Sequence, residues 1–290
     1  MDEMAQGEET GFLEHTDETI RTAGFLDLLR YCLRRWGFAG TAARYLLMHA
    51  ETKQFISSGC GGFDKSALRG LLADFNRIQK NVHCAHAPYQ FVVMAKHFLE
   101  LKTPGPIVEC GCFKGGGSAK LSLLAKLMGR ELIICDSFMG LPQPEDSAEE
   151  RLEGYGNSPS YQLSAGQYAG TLDEVKTNIG TYGCLDVCTF VQGYYQDSLK
   201  SLTIQPACVV LDVDLVSSAR DCLKYLWPQT MAGGLWFTHE ACYLNYLYGT
   251  FDERWWQEHL GQAPPVVFGA GCGLSECATA IAYFVKNSSG

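Results

Sequence analysis

Two carboxylates, Glu109 and Asp136, bracket a run of glycines in a way that suits a nucleotide-like ligand. Glu109 lies in Ile107-Val108-Glu109-Cys110-Gly111-Cys112-Phe113-Lys114-Gly115-Gly116-Gly117-Ser118, an apolar stretch that breaks into glycines. Glycine lets the backbone approach a ligand closely, and the start of the following helix offers free N–H groups. An acidic residue closing the next strand can accept hydrogen bonds from both ribose hydroxyls. Asp136, after Leu132-Ile133-Ile134-Cys135, stands there, with a helix or turn cap as its structural alternative. The glycine order, Gly111 and then Gly115, Gly116 and Gly117, is not the G-x-G-x-x-G that seats a pyrophosphate, and Lys114 precedes the glycines instead of ending a P-loop. Glu109 would repel a pyrophosphate but would suit the ammonium of a methionine moiety. The pattern favours S-adenosylmethionine over a dinucleotide.

Such groups need a scaffold, and from Pro104 onward strands alternate with helices. Strands are expected at 107–110, 132–135, 187–191, 207–211 and 234–238, with 266–268 and 279–285 as a closing antiparallel pair. Helices are expected at 118–128, at 171–182 with Thr171 as N-cap and Glu174 at the capping-box position, and at 217–226 before Pro228. Alternation of this kind implies a mostly parallel sheet covered on both faces, whose ligands bind at the carboxyl ends of the strands. Ahead of it, residues 1–20 are polar and expected to be poorly ordered. Residues 21–103 read as a helical cap or oligomerisation region: Phe25 to Leu33 and Leu68 to Phe75 carry helical apolar spacing, and a third helix starts at Pro88. The remainder, 104–290, is the ligand-binding domain, with a polar lid at about 143–170.

Bulk properties narrow the classes. A net charge of -9 argues against nucleic acid as the main partner, and the Arg30, Arg34 and Arg35 trio reads as the polar face of a helix. No stretch reaches the apolar length of a membrane span, and no basic-then-apolar leader opens the chain. The 13 cysteines are odd in number, several sit in apolar runs, and there is no C-x-x-C pair. That is the usage of a reducing compartment, and a cytoplasmic protein is expected.

Val108-Glu109-x-Gly111, Asp136-Ser137-Phe138-x-Gly140-Leu141-Pro142, Leu172-Asp173-Glu174-Val175-Lys176-x-Asn178, Gly193 and Leu211-Asp212-x-Asp214-Leu215 together resemble the macrocin O-methyltransferase family over roughly residues 85–245. The resemblance implies a class I methyltransferase: an α/β, Rossmann-like, doubly wound and mostly parallel seven-stranded sheet with an N-terminal helical extension. It implies S-adenosylmethionine-dependent O-methylation of a sugar or natural-product hydroxyl and a small-molecule acceptor; a homo-oligomer such as a dimer is expected from the helical N-terminal region. It assigns cofactor binding to Glu109, Gly111, Phe113, Lys114, Gly115, Gly117, Ser118, Asp136, Ser137, Gln192, Gly193 and Asp212, with 192–197 closing over the adenine end.

The same resemblance implies Mg²⁺ held by the D-x-D strand end and an Asp-Asp pair after the next strand. Asp212 and Asp214 supply the first element, but His239-Glu240 stands where the pair is expected. Three readings stay open: a divalent metal on Asp212, His239 and Glu240, with preference shifted from Mg²⁺ towards Mn²⁺, Fe²⁺ or Zn²⁺; His239 as a neutral general base with Asp212; or a capping pair without metal. The lid histidine of the family has no counterpart between Gln143 and Val191, where Asp146, Glu149, Glu150, Tyr155, Tyr161 and Tyr168 are the polar candidates. His83 and His86, ahead of the third helix, are read as structural before catalytic. Trp255 and Trp256 with Tyr243, Tyr246 and Tyr248 are read as core or interface before acceptor wall. Two further functions compete: a methyltransferase-like binding protein without turnover, and a glycosyltransferase using Asp212-Val213-Asp214.

Overall fold

The computed structural model describes residues 46, 48–57, 59–86, 88–145, 147, 150–152, 162–270 and 279–287. The expected disordered start, the first amphipathic helix with its three arginines, and the lid residues Asp146, Glu149, Tyr155 and Tyr161 lie outside them. The described residues from Met48 onward belong to one compact unit.

Alternate residues of each strand face opposite layers, as the period of two dictates. Ile107 of β1 (Ile107–Cys110), Leu132 and Ile134 of β2 (Leu132–Asp136), Cys208 and Val210 of β4 (Cys208–Leu211), and Leu235 and Phe237 of β5 (Leu235–Thr238) enter one core. Val108, Cys110, Ile133, Cys135, Val209, Leu211 and Trp236 enter the other. Strands apolar on both sides belong in a sheet covered on both faces. With β3 (Cys188–Gln192) and β6 (Ala282–Val285) the order is β3-β2-β1-β4-β5-β6, parallel except for β6 against β5.

Helices α1 (Lys65–Asn81), α2 (Pro88–Phe98), α3 (Gly116–Leu127) and α4 (Leu172–Tyr182) contribute to the first core. Asp64 caps α1 by accepting from the Ala67 N–H at 2.8 Å, and its buried stripe is Leu68, Leu71, Phe75 and Ile78. Thr171 caps α4 as expected, accepting from the Glu174 N–H at 3.2 Å. The short α5 (Tyr195–Ser198) leads into β4. Helix α6 (Val216–Leu226) covers the opposite face, followed by α7 (Leu244–Thr250) and α8 (Glu253–Leu260).

One expectation changes. The sheet has six strands among the described residues, not seven: the 266–268 stretch makes only a single antiparallel bridge, Phe268 with Tyr283. Pro264 and Pro265 precede it and lack the N–H groups a longer ladder needs. The aromatic residues near the C-terminus are largely core, as read: Trp256 and Tyr246 are fully buried, and Trp227 packs edge-on against Trp236 and Trp256 at 5.5 and 5.1 Å, while Tyr248 is exposed. Trp255 stacks on His259 instead, with ring centroids 4.8 Å apart. No helix among the described residues is long and apolar enough to cross a membrane.

Candidate active site

Where β1 ends, its carboxylate is buried. Glu109 is 3% exposed and its Oε2 has no hydrogen-bond partner. Burial pushes its carboxyl up to about 8, helped by the charges of Asp212 and Asp136 and opposed by the Ser118 hydroxyl. Gly117, in the first turn of α3, faces it: a Cβ there would lie 3.2 Å from Glu109 Oε1. A buried carboxylate with an unpartnered oxygen is an acceptor that an ammonium could reach and hold ionised.

The glycine turn is fixed by close approach. Gly111 has φ 90°, and a Cβ on it would fall 1.8 Å from the Asp212 carbonyl oxygen, so β1 and β4 can end side by side only with glycine here. Gly115 is the left-handed N-cap of α3, packed on Val175. Phe113 also takes a left-handed conformation, φ 48°, and its ring lies edge-on to His83 and Tyr168 at 5.1 and 5.8 Å. Lys114 turns toward Glu174 of α4, 3.7 Å away, and its carbonyl accepts from Asn178. Ser118 is buried in α3.

Asp136 closes β2 and accepts from the Cys112 N–H at 2.8 Å and the Phe138 N–H at 2.7 Å, so it ties the two turns together. Burial raises its pKa, and those two N–H groups pull it back down. Ser137 spends its hydroxyl on its own turn, donating to the Gly140 carbonyl and accepting from the Met139 N–H. Gln192 ends β3, and the Gly193 N–H donates to the Asp136 carbonyl at 2.9 Å.

The second group of polar residues gathers after β4 and β5. Asp212 lies 3.3 Å from His239 Nδ1 and 3.4 Å from His86 Nε2, and Glu240 Oε1 lies 3.1 Å from His239 Nδ1. Gln90 of α2 reaches the far ring nitrogen, Nε2, at 3.5 Å. His86, Glu109, Asp212, Thr238 and His239 line one small cavity with Phe91. Burial depresses the His86 imidazole to about 3 despite the attraction of Asp212. Burial also opposes charge on His239, but Asp212 and Glu240 outweigh it and hold its pKa well above the ordinary imidazole range. Asp212 is held down at about 2, burial being overcome by its histidines. Near neutral pH His239 is therefore the charged ring and His86 the neutral one. The expected neutral His239 is not what this arrangement favours, because two carboxylates retain its proton.

His86 and Gln90 join the cluster although no motif marks them. The loop carrying His86 is pinned by Lys120 of α3, a fully buried ammonium that donates to the His86 carbonyl at 2.9 Å, Gln79 Oε1 at 2.6 Å and Cys84 Sγ at 3.3 Å. Among the lid candidates, Glu150 is structural: its two carboxylate oxygens accept from the Val216 and Ser217 N–H groups at 3.0 and 2.8 Å, capping α6.

Comparison with known proteins bears on the fold and the family. The solved O-methyltransferase NovP is similar at 17% identity, with a TM-score of 0.56 over 84% of this chain and 100% of that one. The calicheamicin methyltransferase CalS11 is similar at 15% identity, with a TM-score of 0.51 over 84% of this chain and 93% of that one. Podospora anserina methyltransferase PaMTH1 follows at 10% identity and 0.50, over 87% and 97% of the two chains. At such identities the likeness is one of fold, that of the class I methyltransferases. No curated protein sequence matches. Residues 68–244 match the macrocin-O-methyltransferase (TylF) family, more than half of the chain, and the protein therefore belongs to that family of O-methyltransferases.

Proposed function

We propose that the chain transfers a methyl group from S-adenosylmethionine to a hydroxyl of a small-molecule acceptor, a sugar or related natural-product intermediate. The observation that carries the cofactor assignment is Glu109, a buried carboxylate with an unpartnered oxygen facing a side-chain-free helix start. S-adenosylmethionine, when bound, supplies an electrophilic methyl group on a sulfonium. Glu109 is the residue to meet its ammonium, and Asp136, with lone pairs left beyond its two backbone contacts, is the one to meet the ribose. Gly111 and Gly115 shape the turn between, and Gln192 and Gly193 edge the adenine side.

The reacting end falls to the Asp212 cluster. Methylation of a hydroxyl forms a C–O bond, breaks a C–S bond and releases the hydroxyl proton. Asp212, ionised well below neutrality, is an acceptor that can orient the hydroxyl, and the unpartnered Glu240 Oε2 is a buried oxygen available for a proton. Burial raises the Glu240 pKa, which suits a carboxylate that gains and loses a proton. Most of the rate would come from alignment of the two reacting groups.

Titration calorimetry with S-adenosylhomocysteine tests the reading. Binding that is lost in Glu109→Gln and Asp136→Asn supports it, and a folded chain that shows no binding overturns it.

A further inference from the structure

Imidazole stands where the family resemblance calls for carboxylate oxygen. Mg²⁺ demands hard oxygen donors in near-octahedral order and keeps several waters, whereas imidazole suits Zn²⁺, Fe²⁺, Co²⁺ and Ni²⁺. The donors at the ends of β4 and β5 are therefore a poor fit to Mg²⁺.

They are a good fit to a transition ion. Among the described residues, His86, Asp212 and His239 form a group whose ligand atoms all lie within 4.8 Å of one another. His86 Nε2 is 3.4 Å from one Asp212 oxygen, and His239 Nδ1 is 3.3 Å from the other. With metal–ligand bonds of about 2.0–2.2 Å, neighbouring donors in a tetrahedral or octahedral shell stand roughly 3–3.5 Å apart. Closing on one ion thus needs little movement. The three donors come from separate elements: the loop ahead of α2, the end of β4 and the end of β5. Their convergence is no by-product of a single turn.

Glu240 is a second, independent observation. It is 1% exposed, its Oε1 touches His239 Nδ1 at 3.1 Å, and its Oε2 has no hydrogen-bond partner. A buried carboxylate oxygen left unpaired costs free energy that a cation would return. Once His239 has given up its proton to the incoming ion, two carboxylates and two imidazoles carry the charge that balances a dication.

We propose that His86, Asp212 and His239, with Glu240 as fourth donor, bind a first-row transition dication in place of Mg²⁺. The ion's use in methyl transfer rests on the function proposed above; its binding does not.

The test uses the full chain stripped with a chelator. Co²⁺ titration followed by visible absorption should give saturable d–d bands of a nitrogen- and oxygen-ligated site. Zn²⁺ should displace it stoichiometrically, while millimolar Mg²⁺ should not. His86→Ala and Asp212→Asn should each weaken binding by more than the roughly 10–100-fold lost with an outer partner. X-ray absorption on Zn²⁺-loaded wild-type chain needs no variant and should count two imidazoles. An all-oxygen shell, binding indifferent to His86, or Mg²⁺ displacing Co²⁺ would overturn the proposal. Failure of the cofactor reading is distinguishable: a chain that binds S-adenosylhomocysteine but no ion overturns only the metal site, and the reverse result overturns only the cofactor site.

Discussion

His86 and His239 meet edge to face with ring centroids 4.0 Å apart, one from the loop ahead of α2 and the other from the end of β5. Asp212 reaches both rings. Their opposite pKa shifts make this tolerable: a charged ring, a carboxylate and a neutral ring share the space, where two buried cations would repel. The acidic end of the cavity is thus organised before any ligand arrives.

Glu109 should make both stability and cofactor binding depend on pH. Its folded value of about 8 exceeds the ordinary 4.5, so between those values the folded chain holds a proton that the unfolded chain has lost. Stability should fall as pH rises across that window and level off above it. Glu109→Gln should flatten this slope in thermal melts of the cofactor-free protein. An ammonium ligand reverses the preference, so S-adenosylhomocysteine binding near pH 7 should release a proton, seen by calorimetry in buffers of different ionisation heat. The variant should bind roughly 10–100-fold more weakly, the worth of a charged hydrogen bond. Unchanged affinity with no proton release would place the ammonium elsewhere.

Asp136→Asn should do two kinds of damage. One oxygen becomes an NH₂ facing a backbone N–H, of Cys112 or Phe138, so the apo protein should melt several degrees lower. Cofactor affinity should fall by more than that destabilisation explains, as read by calorimetry well below the melting temperature. A lower melting point with full affinity would leave Asp136 as a turn tie alone.

Two glycines with positive φ should respond differently to alanine. At Gly129, φ 61°, the added Cβ meets nothing within 4 Å, so the cost is the left-handed backbone, about 1–2 kcal/mol. At Gly111 the Cβ would collide with the Asp212 carbonyl at 1.8 Å, and a loss above about 4 kcal/mol or failure to fold is expected. Denaturant unfolding of the pair measures the difference, and equal losses would contradict the close approach of β1 and β4.

Lys120→Met keeps the stem and removes the ammonium. The buried His86 carbonyl loses its donor, at about 1–3 kcal/mol, and the half-buried Gln79 amide oxygen loses one too. Because Lys120 reaches His86 through the backbone, turnover should drop more than cofactor affinity. Equal loss of both would make Lys120 a general support.

The fold was legible because its signals are local. Continuous apolar stretches at 107–110, 132–135 and 207–211, separated by helical segments, announce a covered parallel sheet, and Thr171 marks its helix start as written. The cofactor side was legible for the same reason, since Glu109, the glycines and Asp136 lie at strand ends in one stretch of chain. His86 was not, because its part depends on a loop folded against α3 by Lys120, a long-range contact without a sequence period. The charge state of His239 was likewise hidden, since it is set by two carboxylates whose distances only the fold defines. The short bridge at Phe268 shows the limit on strands: apolar character announced one, and the two prolines before it shortened it.

Those prolines carry a consequence for how the protein behaves in concentrated solution. β6 is the outer strand on its side of the sheet, and an open outer strand invites pairing with a second molecule. Phe268 occupies two of its backbone groups, and Pro264 and Pro265 offer no donor for lengthening the ladder. Val266, 70% exposed, would otherwise belong to a sticky apolar border. Replacing both prolines with threonine should lengthen the strand and raise light scattering at high concentration, with the active site untouched. Among the described residues, the bridge at Phe268 thus leaves little of this border free to pair with a second molecule.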